Sequence, residues 1–322
     1  MAHEVQQMAY VGETPWHGLG NRLSPNQPLE IWQCEAGMDW RIESSAVHFK
    51  SAASGLLAPI HTFPDQKVLY RSDTQEPLSV VSQRYQVVQP NEVLEFYRDL
   101  TEFSGYELET AGVLKGGRKF WALARTGQLA ALKGGDEVVG YLLLATSCDG
   151  TLATTATPTT VRVVCNNTLA LSLNGATSAI KVPHNTRFNP DLVKKQLGVA
   201  VSRWDEFMYQ MRALSERKVS NKEAEHFFNQ VLSVTSTSVT AQGQQTNRHA
   251  IAKANGLFEG RGKGANLTSA NGTAWGLLNA VTEFVDHEKR ARSADYRTDS
   301  AWFGQGAALK QRALHQALDL VA

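Results

Sequence analysis

The sequence is poor in cysteine and has no long apolar run, no excess of charge of either sign and no short signature of catalysis. Each lack excludes something. Cys34, Cys148 and Cys165 are an odd number of cysteines at unrelated spacings, which predicts free thiols and no disulfide framework. No stretch reaches the roughly 18 consecutive apolar residues of a membrane-spanning helix. The opening residues, MAHEVQQMAY, lack the charged and apolar regions of a secretory signal, so a cytoplasmic protein without membrane contact is expected. With 32 Lys and Arg against 31 Asp and Glu, the chain is no general coat for duplex nucleic acid. Any site for a polyanion must be local.

Chemistry is equally sparse. The histidines form no HxxxH or HExxH pair, the cysteines have no zinc-ligand spacing, and no GxSxG elbow occurs. No catalytic residue, metal site or cofactor is expected. The glycine-rich run Gly256 to Gly264 invites comparison with a phosphate-binding loop, but Leu257 stands at the first glycine position and Gly264 where Ser or Thr should follow Lys263. It reads as a basic loop. Asp149-Gly150 reads as a turn, and Cys148 as a small buried hydrophobe.

What is present is the patterning of an α+β protein: an antiparallel meander sheet with packed helices, followed by a helical C-terminal half. Residues 1–54 read as an irregular arm that carries Trp16, Trp32 and Trp40 and packs on the core, with one short helix over Leu29 to Ala36. Residues 55–189 read as the α+β core. There, KVLYRS and PLSVVS form a hairpin, a helix runs from Pro90 to about Phe103, and strands cover Tyr106 to Leu114, Arg118 to Thr126 and Glu137 to Ser147. The nearly continuous apolar run Val138 to Ser147 predicts a central strand covered on both faces. Asn166-Asn167 suits a helix N-cap, with a strand returning at Ala179 to Val182. Residues 190–322 read as helical: one amphipathic helix over Leu192 to Leu214, others over Asn221 to Val231, Thr273 to Ser293 and Gly306 to Val321, and a flexible loop at about 233–272.

The candidate binding residues are cations and amides on loops and strand ends: Lys115, Arg118 and Lys119 at one hairpin, Arg162 with Asn166 and Asn167, then Lys181, His184 and Arg187. Each taken singly is most simply a solvated surface residue. Arg162 differs, because it lies in the apolar run Val161 to Val164 and must find a carboxylate, carbonyls or a ligand anion; Asp149 or Glu109 is the structural alternative. The cations His287, Lys289, Arg290, Arg292 and Arg297 follow an apolar helical stretch, where the helix dipole is a sufficient explanation.

Several longer segments carry a family resemblance: Trp16-His17-Gly18-Leu19-Gly20, Ala36 to Trp40, Val80 to Tyr85, Thr110-Ala111-Gly112, Asp149-Gly150, Val161 to Leu169, and Asn279 to His287. In order and spacing the chain resembles the phage/plasmid-like proteins built on the domain of unknown function DUF932. The resemblance implies the context of a mobile genetic element and supplies no catalytic residues. Cys148 departs from it, since relatives often carry His before Asp-Gly, which counts against an essential imidazole there. The element order is also similar to that of single-strand annealing recombinases, as a topological analogy.

The expectation is therefore a protein that binds, and in one form anneals, single-stranded nucleic acid, with backbone phosphates meeting the cations above and Tyr141 or Trp121 stacking on bases if exposed. Homo-oligomerisation suits a shallow groove. Two rival readings stay open: an interaction protein that binds and modulates a host factor, and an enzyme of nucleic-acid metabolism with scattered carboxylates.

Overall fold

The computed structural model describes residues 7–12, 20–51, 59–162, 164, 167–173, 176–177, 179–201, 203–233 and 241–322. The first elements are β1 (Gln7–Val11), β2 (Asn21–Leu23), α1 (Leu29–Glu35), β3 (Ile42–Lys50), β4 (Ile60–Arg71), β5 (Pro77–Ser82) and α2 (Pro90–Ser104). Strands β6 (Glu107–Leu114), β7 (Lys119–Leu132), β8 (Asp136–Ser147), β9 (Thr154–Arg162), β10 (Asn167–Ala170), β11 (Ser172–Leu173), β12 (Ala176–Thr177) and β13 (Ile180–Val182) follow. The remainder is helical: α3 (Pro190–Val201), α4 (Trp204–Glu216), α5 (Asn221–Ser233), α6 (Ala241–Gly256), α7 (Ala274–Glu283), α8 (Ala294–Phe303) and α9 (Gln305–Asp319). The class is α+β with a helical C-terminal half, as the patterning predicts.

Two compact units divide the chain. One comprises Met1–Thr126, Leu142–Ala156 and Ile180–Gln196; the other comprises Gly127–Tyr141, Thr157–Ala179 and Leu197–Ala322. Strands β7, β8 and β9 thus contribute residues to both.

In the first unit the strand order is β2-β1-β6-β7-β8-β9, with β13 pairing antiparallel to the first residues of β9. A separate three-stranded sheet has the order β3-β4-β5. Helix α2 follows from apolar residues at i, i+1, i+3 and i+4, and Val93, Leu94, Phe96 and Tyr97 are all buried. Tyr97 brings one polar group into this core, where its hydroxyl lies 2.9 Å from the carbonyls of Ala122 and Leu142 and accepts from the Leu144 amide at 2.9 Å. That satisfies a buried hydroxyl and ties the helix to two strands. Trp40 is buried between Phe120, at 5.5 Å between ring centroids, and the Arg71 guanidinium 4.1 Å above its ring.

The second unit packs the rest of β7, β8 and β9, with β10, against helices α4 to α9. Its core holds Trp204, Phe207, Met208, Met211, Phe227, Phe228, Leu278 and Leu314. Helix α7 is buried at all ten positions, as its near-absence of charge requires. Thr273 caps it by accepting from the Gly276 amide, and Ser220 and Glu223 form a reciprocal capping box ahead of α5.

Several elements differ from the sequence reading, among them helix α8, which lies between the two C-terminal helices expected. The N-terminal arm supplies β1, which pairs with β6 and is too short to show a period, and β3, which pairs with β4 and has only Ile42 buried, so that no buried and exposed alternation marks it. Asn167 opens strand β10 and sits opposite Arg162 instead of capping a helix. The helix expected over Leu192 to Leu214 is two helices, since the backbone leaves helical geometry at Arg203. Of the loop expected at about 233–272 from glycine and polar content, residues 241–256 are helix α6 and 234–240 lie outside the described residues.

Replacing Tyr97 with Phe leaves the Leu144 amide and two carbonyls short of a buried partner. Urea denaturation of Tyr97→Phe is expected to show a loss of about 1–3 kcal/mol, and an unchanged midpoint would contradict this account of the core.

Candidate functional site

Two polar constellations stand out, one in each unit. In the first unit the chain reverses between β8 and β9 over residues 148–152, and side chains from distant segments satisfy the backbone of that turn. Tyr85 donates its hydroxyl to the Ser147 carbonyl at 2.8 Å, and Ser79 donates to the Cys148 carbonyl at 2.5 Å. The Cys148 amide donates to the Arg118 carbonyl at 2.9 Å. His184 lies with Nε2 2.9 Å from the Leu152 carbonyl and Nδ1 3.0 Å from that of Gln86, and its ring stacks on Tyr85 at 4.5 Å and 20°. Lys67 donates to the Tyr85 carbonyl at 3.0 Å. Three stretches, 79–86, 117–119 and 181–187, therefore meet at one turn.

Burial and the charge of Asp149 shift the ionisable groups at the turn. Burial, helped by the charge of Asp149, pushes the Cys148 thiol up to about 12, which disfavours the thiolate at neutral pH. Burial likewise pushes the Tyr85 phenol to about 12. Asp149 is held below the ordinary carboxylate range: burial opposes its ionisation but is outweighed by hydrogen bonds from Thr151 and Ser147 and by the charge of Lys119. Its carboxylate is thus engaged within its own turn.

The candidate cations divide between the units. Lys115, Arg118, Lys119, Lys181, His184 and Arg187 belong to the first unit. Arg118, Lys181 and Arg187 are exposed, Lys115 and His184 half-buried, and Lys119 buried. Arg84, exposed beside Tyr85, joins them and was not among the residues read from sequence. Its signal was available, since it lies in the segment Val80 to Tyr85. Tyr141 and Trp121 are buried at 4% and 3% exposure, so neither offers a stacking platform.

Arg162 and Asn167 lie in the second unit and are consumed there; Asn166 lies outside the described residues. Arg162 is 3% exposed and forks onto both oxygens of Asp136, at 2.7 and 2.8 Å, with a further bond of 3.0 Å to the Gly264 carbonyl. The carboxylate partner is Asp136 rather than Asp149 or Glu109. Ser269 and the Trp275 indole also donate to Asp136, at 2.6 and 2.9 Å. Burial raises the Asp136 carboxyl, but the hydrogen bonds and charge of Arg162 prevail and its pKa is lowered. The basic loop folds over this pair: Lys263 donates its amide to both oxygens of Glu283, and a Cβ on Gly264, whose φ is +69°, would come within 2.6 Å of Val164 and 3.0 Å of the Arg162 guanidinium. That glycine serves close packing.

One face of α7 and the turn after it extends the network. Asn279, Glu283, Asp286 and His287 recur at i, i+4, i+7 and i+8. Asp286 pairs with buried Lys310 at 2.8 Å and accepts from the Thr168 amide at 2.9 Å, while His287 Nε2 sits 3.1 Å from the Asn167 amide oxygen. Burial raises the Glu283 carboxyl above its ordinary value. Among the described residues, no group of three or more His, Cys, Asp and Glu is placed to hold a metal.

The fold and these constellations define an α+β protein with a hydrogen-bonded turn over residues 148–152 in its first unit and a saturated core of buried ions in its second. The chain belongs to the family of the domain of unknown function DUF932, whose model matches residues 77–302. That span takes in the turn and helix α7, begins after β4 and ends before Lys310, the partner of Asp286. No curated protein and no solved structure matches the chain.

The saturated pair yields a sharp expectation. Arg162→Leu, which strands the Asp136 charge, should cost about 3–5 kcal/mol in denaturant unfolding, and adding Asp136→Asn should recover part of it. Because the Asp136 pKa is lowered, its stabilisation is present above the unfolded value of 3.8 and is lost as pH falls through the folded value. The Asp136→Asn protein should therefore lose the part of the acid dependence that lies below about pH 3.8.

Proposed function

We propose that the protein binds single-stranded nucleic acid, with Arg118, Lys181, Arg187, Arg84 and Lys115 contacting backbone phosphates around the 148–152 turn. The observation that carries this reading is the meeting of three cation-bearing stretches at one rigid turn. A hydrogen-bonded scaffold spares the backbone ordering cost of binding a polyanion, and a near-neutral chain concentrates its positive field only where cations gather. Arg162 and Asn167 act in this scheme as structural residues of the second unit. The phage or plasmid context and a cytoplasmic location fit the same reading, as does a homo-oligomer that repeats a short site along a strand.

The rival readings make different demands. A protein that modulates a host factor should ignore oligonucleotides, and an enzyme of nucleic-acid metabolism should consume them.

Binding of a labelled single-stranded oligonucleotide, followed by anisotropy, tests the reading. Each phosphate neutralised contributes about −0.7 to the slope of log K against log salt, so three to five contacts give roughly −2 to −3.5. Arg118→Glu with Lys181→Glu should weaken binding at least tenfold and flatten that slope while leaving thermal melting unchanged. Failure of the wild-type chain to bind at micromolar concentration and low salt would sink the proposal in favour of the host-factor reading.

A further inference from the structure

The cations Lys289, Arg290, Arg292 and Arg297 lie in the second unit, outside its buried ion pairs. A helix dipole suffices for them on sequence alone, but in the structure it covers only those at the end of the first helix. The helical turn Phe284–Glu288 that follows α7 ends there, Lys289 is extended at φ −61° and ψ 128°, and Ser293 opens α8 by accepting from the Tyr296 amide. Arg290 and Arg292 thus stand between the negative end of one helix and the positive end of the next, whose effects oppose. Arg297 closes the first turn of α8, where a cation is disfavoured.

Lys289 is half-buried, and burial pulls its ammonium below the ordinary lysine value. Among the described residues that ammonium has neither a hydrogen bond nor an ion pair. A cation withdrawn from water without a partner costs free energy, which an anion from outside the chain would recover. Its neighbours suit the same ligand. Arg290 and Arg292 are exposed, the Arg292 guanidinium lies 5.8 Å above the Tyr296 ring, and Arg297 donates from Nε to the Lys289 carbonyl at 3.2 Å. From Lys289 to Arg297 the single carboxylate is Asp295, which is fully buried. On either side, Glu288 is paired with Lys253 at 2.5 Å and held below the ordinary carboxylate range by that bond, and Asp299 is half-buried. A phosphate group, with up to two charges and three free oxygens, can engage an ammonium and two guanidinium forks at once, which the two oxygens of a carboxylate cannot.

We infer that Lys289, Arg290 and Arg292 form a site for phosphate groups in the second unit, with Arg297 holding the Lys289 backbone in place. This stands apart from the reading of the 148–152 turn, since it uses other residues and requires no nucleic acid. A small phosphorylated ligand and a polynucleotide backbone offer the same chemistry, and the two are separated by experiment.

Inorganic pyrophosphate, titrated calorimetrically into the full chain at low ionic strength, and fluorescent oligothymidylate, followed by anisotropy, are the probes. Pyrophosphate that binds and raises the melting temperature assigns the site to small ligands, and binding of oligothymidylate alone assigns it to a backbone. With either probe, Lys289→Gln and the double variant Arg290→Gln with Arg292→Gln should each weaken binding about tenfold. Lys289→Gln should melt no lower than the wild type, because it removes a half-buried charge that has no partner. Oligothymidylate is also titrated into Arg118→Glu with Lys181→Glu, so that affinity lost there is assigned to the turn and affinity lost with Lys289→Gln to this site. Binding of neither probe, or binding that the Lys289 and double arginine variants leave undiminished, overturns the site. A Lys289→Gln protein that melts several degrees lower overturns it as well, since the ammonium then has a partner within the fold. Polyglutamate that binds as tightly as oligothymidylate, with the same loss in the variants, overturns the assignment to phosphate in favour of an acidic protein.

Discussion

A tight chain reversal must find partners for its inward-facing carbonyls, and here those partners come from far along the chain. Tyr85, Ser79 and His184 supply the hydrogen atoms or ring nitrogens that the carbonyls of Ser147, Cys148 and Leu152 require. The need is energetic as well as geometric, since each buried carbonyl left unpaired costs about 1–3 kcal/mol. In meeting it, the turn fixes the backbone that bears Arg84, Lys181 and Arg187. In the proposed reading, function follows from this satisfaction of polar groups, because the segments needed as hydrogen-bond partners are also ones that carry cations.

The second unit puts its buried charges to the opposite use. Asp136 with Arg162, and Asp286 with Lys310, are paired and bonded on nearly every side. A cation so enclosed cannot reach a phosphate without stranding its carboxylate, which costs more than a surface contact returns. The glycine-rich loop, which from composition alone suggested contact with phosphate, is spent on covering this network through Lys263 and Gly264. The same residue types thus have different roles in the two units, and burial decides which.

Much of the architecture was legible. The helix at Pro90, the hairpin of β4 and β5, the run of strands β6 to β8 and the helical C-terminal half all follow from periodicity strong enough to survive tertiary context. That Arg162 needs a partner was also legible, because an arginine inside Val161 to Val164 has no solvent to turn to, but whether that partner was a carboxylate, carbonyls or a ligand anion was not. Nor was its identity, since Asp136 lies in a Gly-Gly-Asp turn where an aspartate is ordinary and only the fold brings it to Arg162. Short strands such as β1 and β10 escaped for want of period, and helix α6 because Ala241–Gly256 lacks a marked apolar face. The meeting of 79–86 with 181–187 depends on contacts nearly a hundred residues apart, which no local pattern encodes.

The central claim is that the cations around the 148–152 turn are the phosphate-binding surface, and lysine footprinting addresses it directly. The chain is acylated with and without saturating oligothymidylate, and modification is located by mass spectrometry. Lys115 and Lys181 should react several-fold more slowly in the complex, while Lys222, exposed on α5, should react at an unchanged rate. Binding that leaves Lys115 and Lys181 as reactive as in the free protein would contradict the account.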